Sequence, residues 1–180
     1  LALIDNWDNL VSKTIFWPKP DYLGVWGRQA EHQAIEIHGF SEKQVSQIGT
    51  PRFDQYFSAR RDFIGERGDY ILFVGSAMPF DELGALHEIE RSLQNAGVNS
   101  MSIVYRPHPW QQKRLVNSTF EEKDFHFTVL DDQIKSAKVQ GLQQSSTDIR
   151  FQPDLGHYPC LFRGARIVVG PLTTMLLEAS

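Results

Sequence analysis

The sequence predicts an α/β fold, an open Rossmann-like parallel sheet with helices on both faces. Three observations predict it: the unbroken apolar run Tyr70 to Val74, a helix-period stripe directly after it, and a second β-rich run from Met101 to Tyr105. A strand covered on both faces needs apolar residues at every position, which the first run supplies. Two strands joined through a helical crossover must be parallel, and such crossovers are right-handed in nearly all known proteins.

The elements follow in order. Leu1 to Ile4 is a short strand opening onto the polar cluster Asp5-Asn6-Trp7-Asp8-Asn9, and Trp17-Pro18-Lys19-Pro20 enforces an extended connection. Asp21 to Trp26 reads as a strand, Arg28 to Ile37 as a helix closed by Gly39, and Val45 to Ile48 as a third strand. Gly49-Thr50-Pro51 breaks the chain, and Arg52 to Glu66 carries Phe53, Tyr56, Phe57 and Phe63 at near-helical spacing, the pattern of a linker helix. After Tyr70 to Val74, Asp81 caps a helix whose apolar face is Leu83, Leu86, Ile89, Leu93 and Ala96, with Gly97 as its stop. Further strands are expected at Phe125 to Leu130, Arg150 to Phe151 and Arg166 to Val169. Helices are expected at Asp132 to Gln140 and Asp154 to Phe162, with Pro159 counting against the second, and Gly141 to Thr147 reads as a surface loop. The expected organisation is an interdomain segment with the edge of another domain over residues 1–68, then a main α/β domain over residues 69–180. The start in mid-strand and the stop at LLEAS without a capping glycine predict a piece of a longer protein.

Composition excludes several classes. Hydrophobic residues at 41% and charged residues at 22% are globular values, which disfavours disorder and fibrous structure. The formal charge of −4 comes without a basic block, so nucleic acid is not an expected partner. A single cysteine, Cys160, cannot form an internal disulfide, and with neither a signal peptide nor an apolar run long enough to span a bilayer the expected location is the cytoplasm. Neither GxGxxG after a strand nor GxxxxGK[ST] occurs, which disfavours a dinucleotide site and a P-loop. There is no Asp-x-Asp pair, since Asp5 and Asp8 are three apart and Asp131 and Asp132 adjacent, so no metal is expected. His157 and Cys160 share a helical face, but two such residues without partners read as helix packing rather than a metal site.

Ligands of open parallel sheets bind beyond the carboxyl ends of the strands. Three junctions there carry suitable chemistry. Gly75-Ser76 combines close backbone approach with a hydroxyl and a helix N-terminus, although an ordinary tight turn has the same composition. Arg106-Pro107-His108-Pro109-Trp110 holds an imidazole between two prolines beside a guanidinium, a stiff grip for a phosphate, although a proline-stiffened loop with a solvated histidine has the same composition. Gly170-Pro171-Leu172-Thr173-Thr174 opens a helix on which Thr174 and Glu178 are i,i+4 neighbours, placing hydroxyls near free N–H groups and a carboxylate one turn along; a plain capped helix reads the same way.

Taken together, VGS, YRPHP and GPLTTMLLEA resemble the C-terminal domain of GT-B glycosyltransferases, particularly the bacterial capsule and surface-polysaccharide group that includes CDP-glycerol glycerophosphotransferases and polysialyltransferases. DNWDNLVSK, PDYLGVWG and IGTPRFDQY are similar to the interdomain stretch of the same enzymes, so the resemblance spans nearly the whole chain. It implies the C-terminal half of a GT-B fold, a nucleotide-activated sugar or polyol as donor, a glycan or lipid-linked acceptor, no cofactor, and room for peripheral contact with the inner membrane face. It assigns nucleotide and phosphate binding to His108, Pro109, Thr173, Thr174 and Glu178, beside Gly75, Ser76 and Arg106 from the junctions themselves. Threonines stand where serines are commoner in that group, and the catalytic base usually lies in the N-terminal domain, so no catalytic residue is assigned. A non-hydrolysing nucleotide-sugar epimerase and a non-catalytic binding or scaffold domain are the alternatives.

Overall fold

The computed structural model describes residues 1–4, 9–12, 14–54, 56, 70–77, 79–108, 120–139 and 156–179, with backbone alone at 9, 52, 137–139 and 178. The chain forms two compact units, Leu1–Ser58 and Ala59–Ser180. The boundary expected between residues 68 and 69, the strand expected at Arg150 to Phe151, the loop from Gly141 to Thr147, and most of the helix expected from Arg52 to Glu66 lie outside the described residues.

The first unit holds β1 (Ala2–Leu3), β2 (Leu23–Val25) and β3 (Val45–Gln47), parallel and in that order. Helix α1 (Asn9–Ser12) and α2 (Arg28–Glu36) accompany it. Leu10, Leu23, Val25, Ala30, Ala34, Phe40 and Val45 form its core. The small alanines four apart let α2 lie close to the sheet. Gly39, at φ +64°, turns the chain out of α2 in a conformation only glycine adopts without strain.

The second unit is a four-stranded parallel sheet ordered β6-β5-β4-β7: β4 (Tyr70–Val74), β5 (Ser102–Arg106), β6 (Thr128–Leu130) and β7 (Ala165–Val169). Every β4 residue is buried, the signature of a central strand flanked on both sides and covered on both faces. Alternation divides the core. Ile71, Phe73, Ile103 and Tyr105 pack on one face with Leu86 and Ile134, from helices α3 (Glu82–Asn95) and α4 (Asp132–Val139). Tyr70, Leu72, Val74 and Val104 pack on the other with Leu161 of α5 (His157–Gly164) and with Met175 and Leu176 of α6 (Thr174–Glu178). The Rossmann-like α/β arrangement is therefore present. Burying Leu86 alone is worth roughly 1.5–3 kcal/mol.

Several boundaries differ for physical reasons. Asp81 caps α3 as expected, its Oδ1 accepting from the Gly84 N–H at 2.9 Å, but Ala96 is an exposed C-cap residue rather than part of the apolar face. Strand β5 runs one residue further than expected, because Arg106 pairs with Val74 in the ladder. Pro159 sits at the third position of α5, inside the first turn, where its missing N–H has no intrahelical acceptor to lose. Before β6, Glu122–Asp124 is a turn of 3₁₀-helix, and Glu90 of α3 ties the segment down by accepting from the His126 and Phe127 N–H groups and the Thr128 hydroxyl. Burial presses the Glu90 pKa upward, but these hydrogen bonds outweigh it and hold it below the usual carboxylate range.

Candidate functional site

Because all four strands are parallel, Val74, Arg106, Leu130 and Val169 end on one edge. The chain builds outward from β4 through β5 to β6, then returns to the opposite side of β4 for β7. The order therefore reverses between β4 and β7, and in open α/β sheets such a reversal opens a crevice at the carboxyl edge where ligands bind.

Two junctions flank that reversal, and glycine is needed at each. A Cβ on Gly170 would stand 2.2 Å from the Val74 carbonyl oxygen, so β7 approaches β4 this closely only without a side chain. A Cβ on Gly75 would stand 2.6 Å from Glu82 Oε2 and 2.7 Å from the His108 nitrogen. The Ser76 hydroxyl donates to the Leu172 carbonyl at 3.4 Å, joining the first junction to the third.

The donors of the first junction are occupied. Gly75 N–H donates to the Arg106 carbonyl at 2.8 Å, and Ser76 N–H to Glu82 Oε1 at 2.9 Å. The place where a phosphate oxygen would meet the Ser76 amide holds the protein's own carboxylate. Glu82 is buried, and its Oε2 accepts from the Tyr105 hydroxyl at 2.5 Å. Burial, then the hydrogen bond and negative charge of Glu82, push the Tyr105 hydroxyl above the ordinary tyrosine range.

Arg106 also turns inward. Its side chain is 1% exposed, Nη1 lies 3.1 Å from Asp131 Oδ1, and Nη2 donates to the Tyr158 hydroxyl at 3.2 Å. The guanidinium carbon stands 5.5 Å from the centroid of the Tyr158 ring. Asp131, fully buried, caps α4 through the Gln133 and Ile134 N–H groups, and its Oδ2 lies 2.8 Å from His157 Nε2. Desolvation is the strongest single influence on Asp131 and favours the neutral acid. The His157 hydrogen bond, the charges of Arg106 and His157 and the Ile134 amide together outweigh it, holding the carboxyl below its usual range.

The remaining expected residues divide. His108 follows β5 half-buried; burial first, and the Arg106 charge second, lower its pKa, which favours the neutral imidazole at neutral pH. Thr173 and Thr174 stand at the start of α6, and among the described residues their hydroxyls take no hydrogen-bond partner. Pro109, Trp110 and the side chain of Glu178 lie outside the described residues. Among the described residues there is no cluster of metal-ligating groups and no helix long and apolar enough to cross a membrane. Sequence reasoning passed over Glu82, Asp131 and Tyr158 and set His157 beside Cys160 alone. The available signal was Asp131 itself, an aspartate between a strand and a helix in the N-cap position.

Fold and edge together define a Rossmann-like α/β protein with a built polar cluster at the carboxyl ends of its strands. No family model matches the chain, and no curated protein or solved structure shows significant similarity to it.

Proposed function

We propose that the protein is the donor-binding part of a GT-B-type glycosyltransferase, moving a sugar or polyol phosphate from a nucleotide-activated donor to a surface polysaccharide acceptor. The observation that carries this reading is the strand order: it brings all three polar junctions to one edge and sets two of them on either side of the reversal between β4 and β7. In this reading the ligand meets His108, Thr173 and Thr174, with Glu178 one turn along α6. Gly75, Ser76 and Arg106 shape the floor beneath them through the internal bonds described above. Donors aimed at the departing nucleotide phosphate stabilise the negative charge that develops there, which is where such a site lowers the barrier.

Calorimetric titration of CMP, CDP and UDP tests the reading. A neutral imidazole donating to a charged phosphate is worth about 1.5–3 kcal/mol, so His108→Ala should weaken the preferred nucleotide roughly 10- to 150-fold. Absence of binding by all three nucleotides defeats the reading; equal affinity in the variant removes His108 from it.

A further inference from the structure

A strand end that runs into a helix presents free amides, the ordinary seat of a ligand phosphate in parallel sheets. We propose that Glu82 is a specificity-determining residue of the carboxyl edge: its carboxylate fills that seat at the turn from β4 to α3, so the donor's phosphate is excluded from the turn and binds elsewhere along the crevice. The proposal deepens the donor-binding reading and rests on it.

The bonds around the turn support it. Ser76 N–H donates to Glu82 Oε1 at 2.9 Å, the distance at which it would hold a phosphate oxygen. Gly75 N–H is taken by the Arg106 carbonyl. At the start of α3 the Glu82 amide donates to the Phe80 carbonyl at 3.0 Å, the Gly84 amide to Asp81 Oδ1 at 2.9 Å, and the Ala85 amide to the Asp81 carbonyl at 3.1 Å. A phosphate arriving here meets donors already in use and two acidic side chains, Asp81 exposed and Glu82 buried.

The two acids are not equivalent. Asp81 does what an acid at a helix start ordinarily does, capping α3 from the solvent side. Glu82 is 5% exposed and reaches back six residues, out of its helix, to an amide that belongs to the end of β4. Its Oε2 accepts from the Tyr105 hydroxyl of β5, so both oxygens are fixed. A Cβ on Gly75 would stand 2.6 Å from Oε2 and 2.9 Å from Oε1, so the turn is kept bare for this carboxylate. Stabilising the start of a helix needs none of these contacts; filling an anion's place on the Ser76 amide uses all of them.

The exclusion has two parts. A phosphate oxygen on Ser76 N–H needs the place of Oε1, and swinging Glu82 aside strips the buried Tyr105 hydroxyl of its acceptor, a penalty of roughly 5- to 150-fold in affinity. Left in place, Glu82 sets a carboxylate against the phosphate, and an opposed like charge rejects one binding mode in favour of another.

The test uses the full chain, ¹⁵N-labelled, with inorganic phosphate as the probe. The Ser76 amide of the wild type should stay in place as phosphate is added. In Glu82→Ala it should move and saturate, with phosphate bound at least about 5-fold more tightly than by the wild type. Protected β4 amides in hydrogen exchange show that the variant is folded. Where the alanine variant does not fold, Glu82→Gln, which keeps the volume and an acceptor for Ser76 while removing the charge, takes its place with the same expected gain. A saturable shift of Ser76 in the wild type, or a folded variant without the gain, overturns the proposal. In the CDP complex of the wild type, no scalar coupling should join the Ser76 amide to phosphorus across a hydrogen bond, and finding one overturns it equally. A wild-type protein that binds none of CMP, CDP and UDP removes the nucleotide reading, and the phosphate comparison then decides Glu82 alone.

Discussion

Asp131→Asn isolates the charge at the centre of the edge. Asparagine keeps the volume and an oxygen able to cap α4, so the substitution leaves the Gln133 and Ile134 amides served and removes the negative charge. What it leaves is the Arg106 guanidinium, 1% exposed, without a counterion. Breaking a buried pair in this way costs about 3–5 kcal/mol, a large part of the roughly 5–15 kcal/mol that holds a domain folded. Hydrogen exchange of the β4 and β5 amides reads the second unit by itself, and a loss of that size should accelerate their slowest exchange by about two to four orders of magnitude. In urea, with a slope near 2 kcal/mol per molar, the midpoint of that unit should fall by about 2 M. The double variant Arg106→Met, Asp131→Asn should recover at least half of the loss, because an apolar replacement of a buried pair is often close to neutral. A loss below about 1 kcal/mol in Asp131→Asn, or a double variant no better than the single one, refutes the argument that the pair is buried and mutually required.

Three further outcomes follow from the packing. Leu86→Ala, at a fully buried position against Ile71 and Phe73, should cost about 2–5 kcal/mol in urea unfolding. Gly170→Ala places a methyl against the Val74 carbonyl and should destabilise the β4–β7 pairing, seen as faster exchange of β7 amides than of β5 amides. Glu90 has a lowered pKa in the fold, so its contribution is present above the unfolded value of about 4.3 and is lost as pH falls through the folded value. Glu90→Gln should therefore flatten the acid limb of a stability–pH curve, and an unchanged slope below pH 5 would contradict the direction of that shift.

Much of the sheet was legible because local pattern and tertiary demand agree there. Tyr70 to Val74 is apolar at every position, as a central strand must be, and Asp81 and Gly97 bracket α3 with the chemistry helix ends require. The edge was legible in place but not in use. Arg106 lies where the sequence puts it, yet its side chain is committed by Asp131, which comes 25 residues later and reaches it only through the pairing of β5 with β6. Ser76 likewise has the composition of an anion-binding turn. Its amide is taken by Glu82 because the first turn of α3 folds back beneath it. Spacing along the chain reports which residues stand at a strand end; it does not report which of them the fold has already bonded.

That distinction divides the edge into two sets with opposite signatures under substitution. Gly75, Ser76, Glu82, Arg106 and Asp131 are bound to one another through buried contacts, so changing any of them should lower stability first and ligand affinity only in consequence. Thr173 and Thr174 are only partly buried, and among the described residues their hydroxyls take no hydrogen-bond partner. On the proposed reading their substitution should lower affinity at unchanged stability. Thr173→Val and Thr174→Val provide the sharpest contrast, since valine preserves shape and removes only the hydroxyl. Thermal midpoints within about 1 °C of wild type, together with a several-fold weaker nucleotide, would mark these hydroxyls as ligand contacts. A fall in midpoint with unchanged affinity would instead place them with the structural set, and the crevice between β4 and β7 would lose its claim to the ligand.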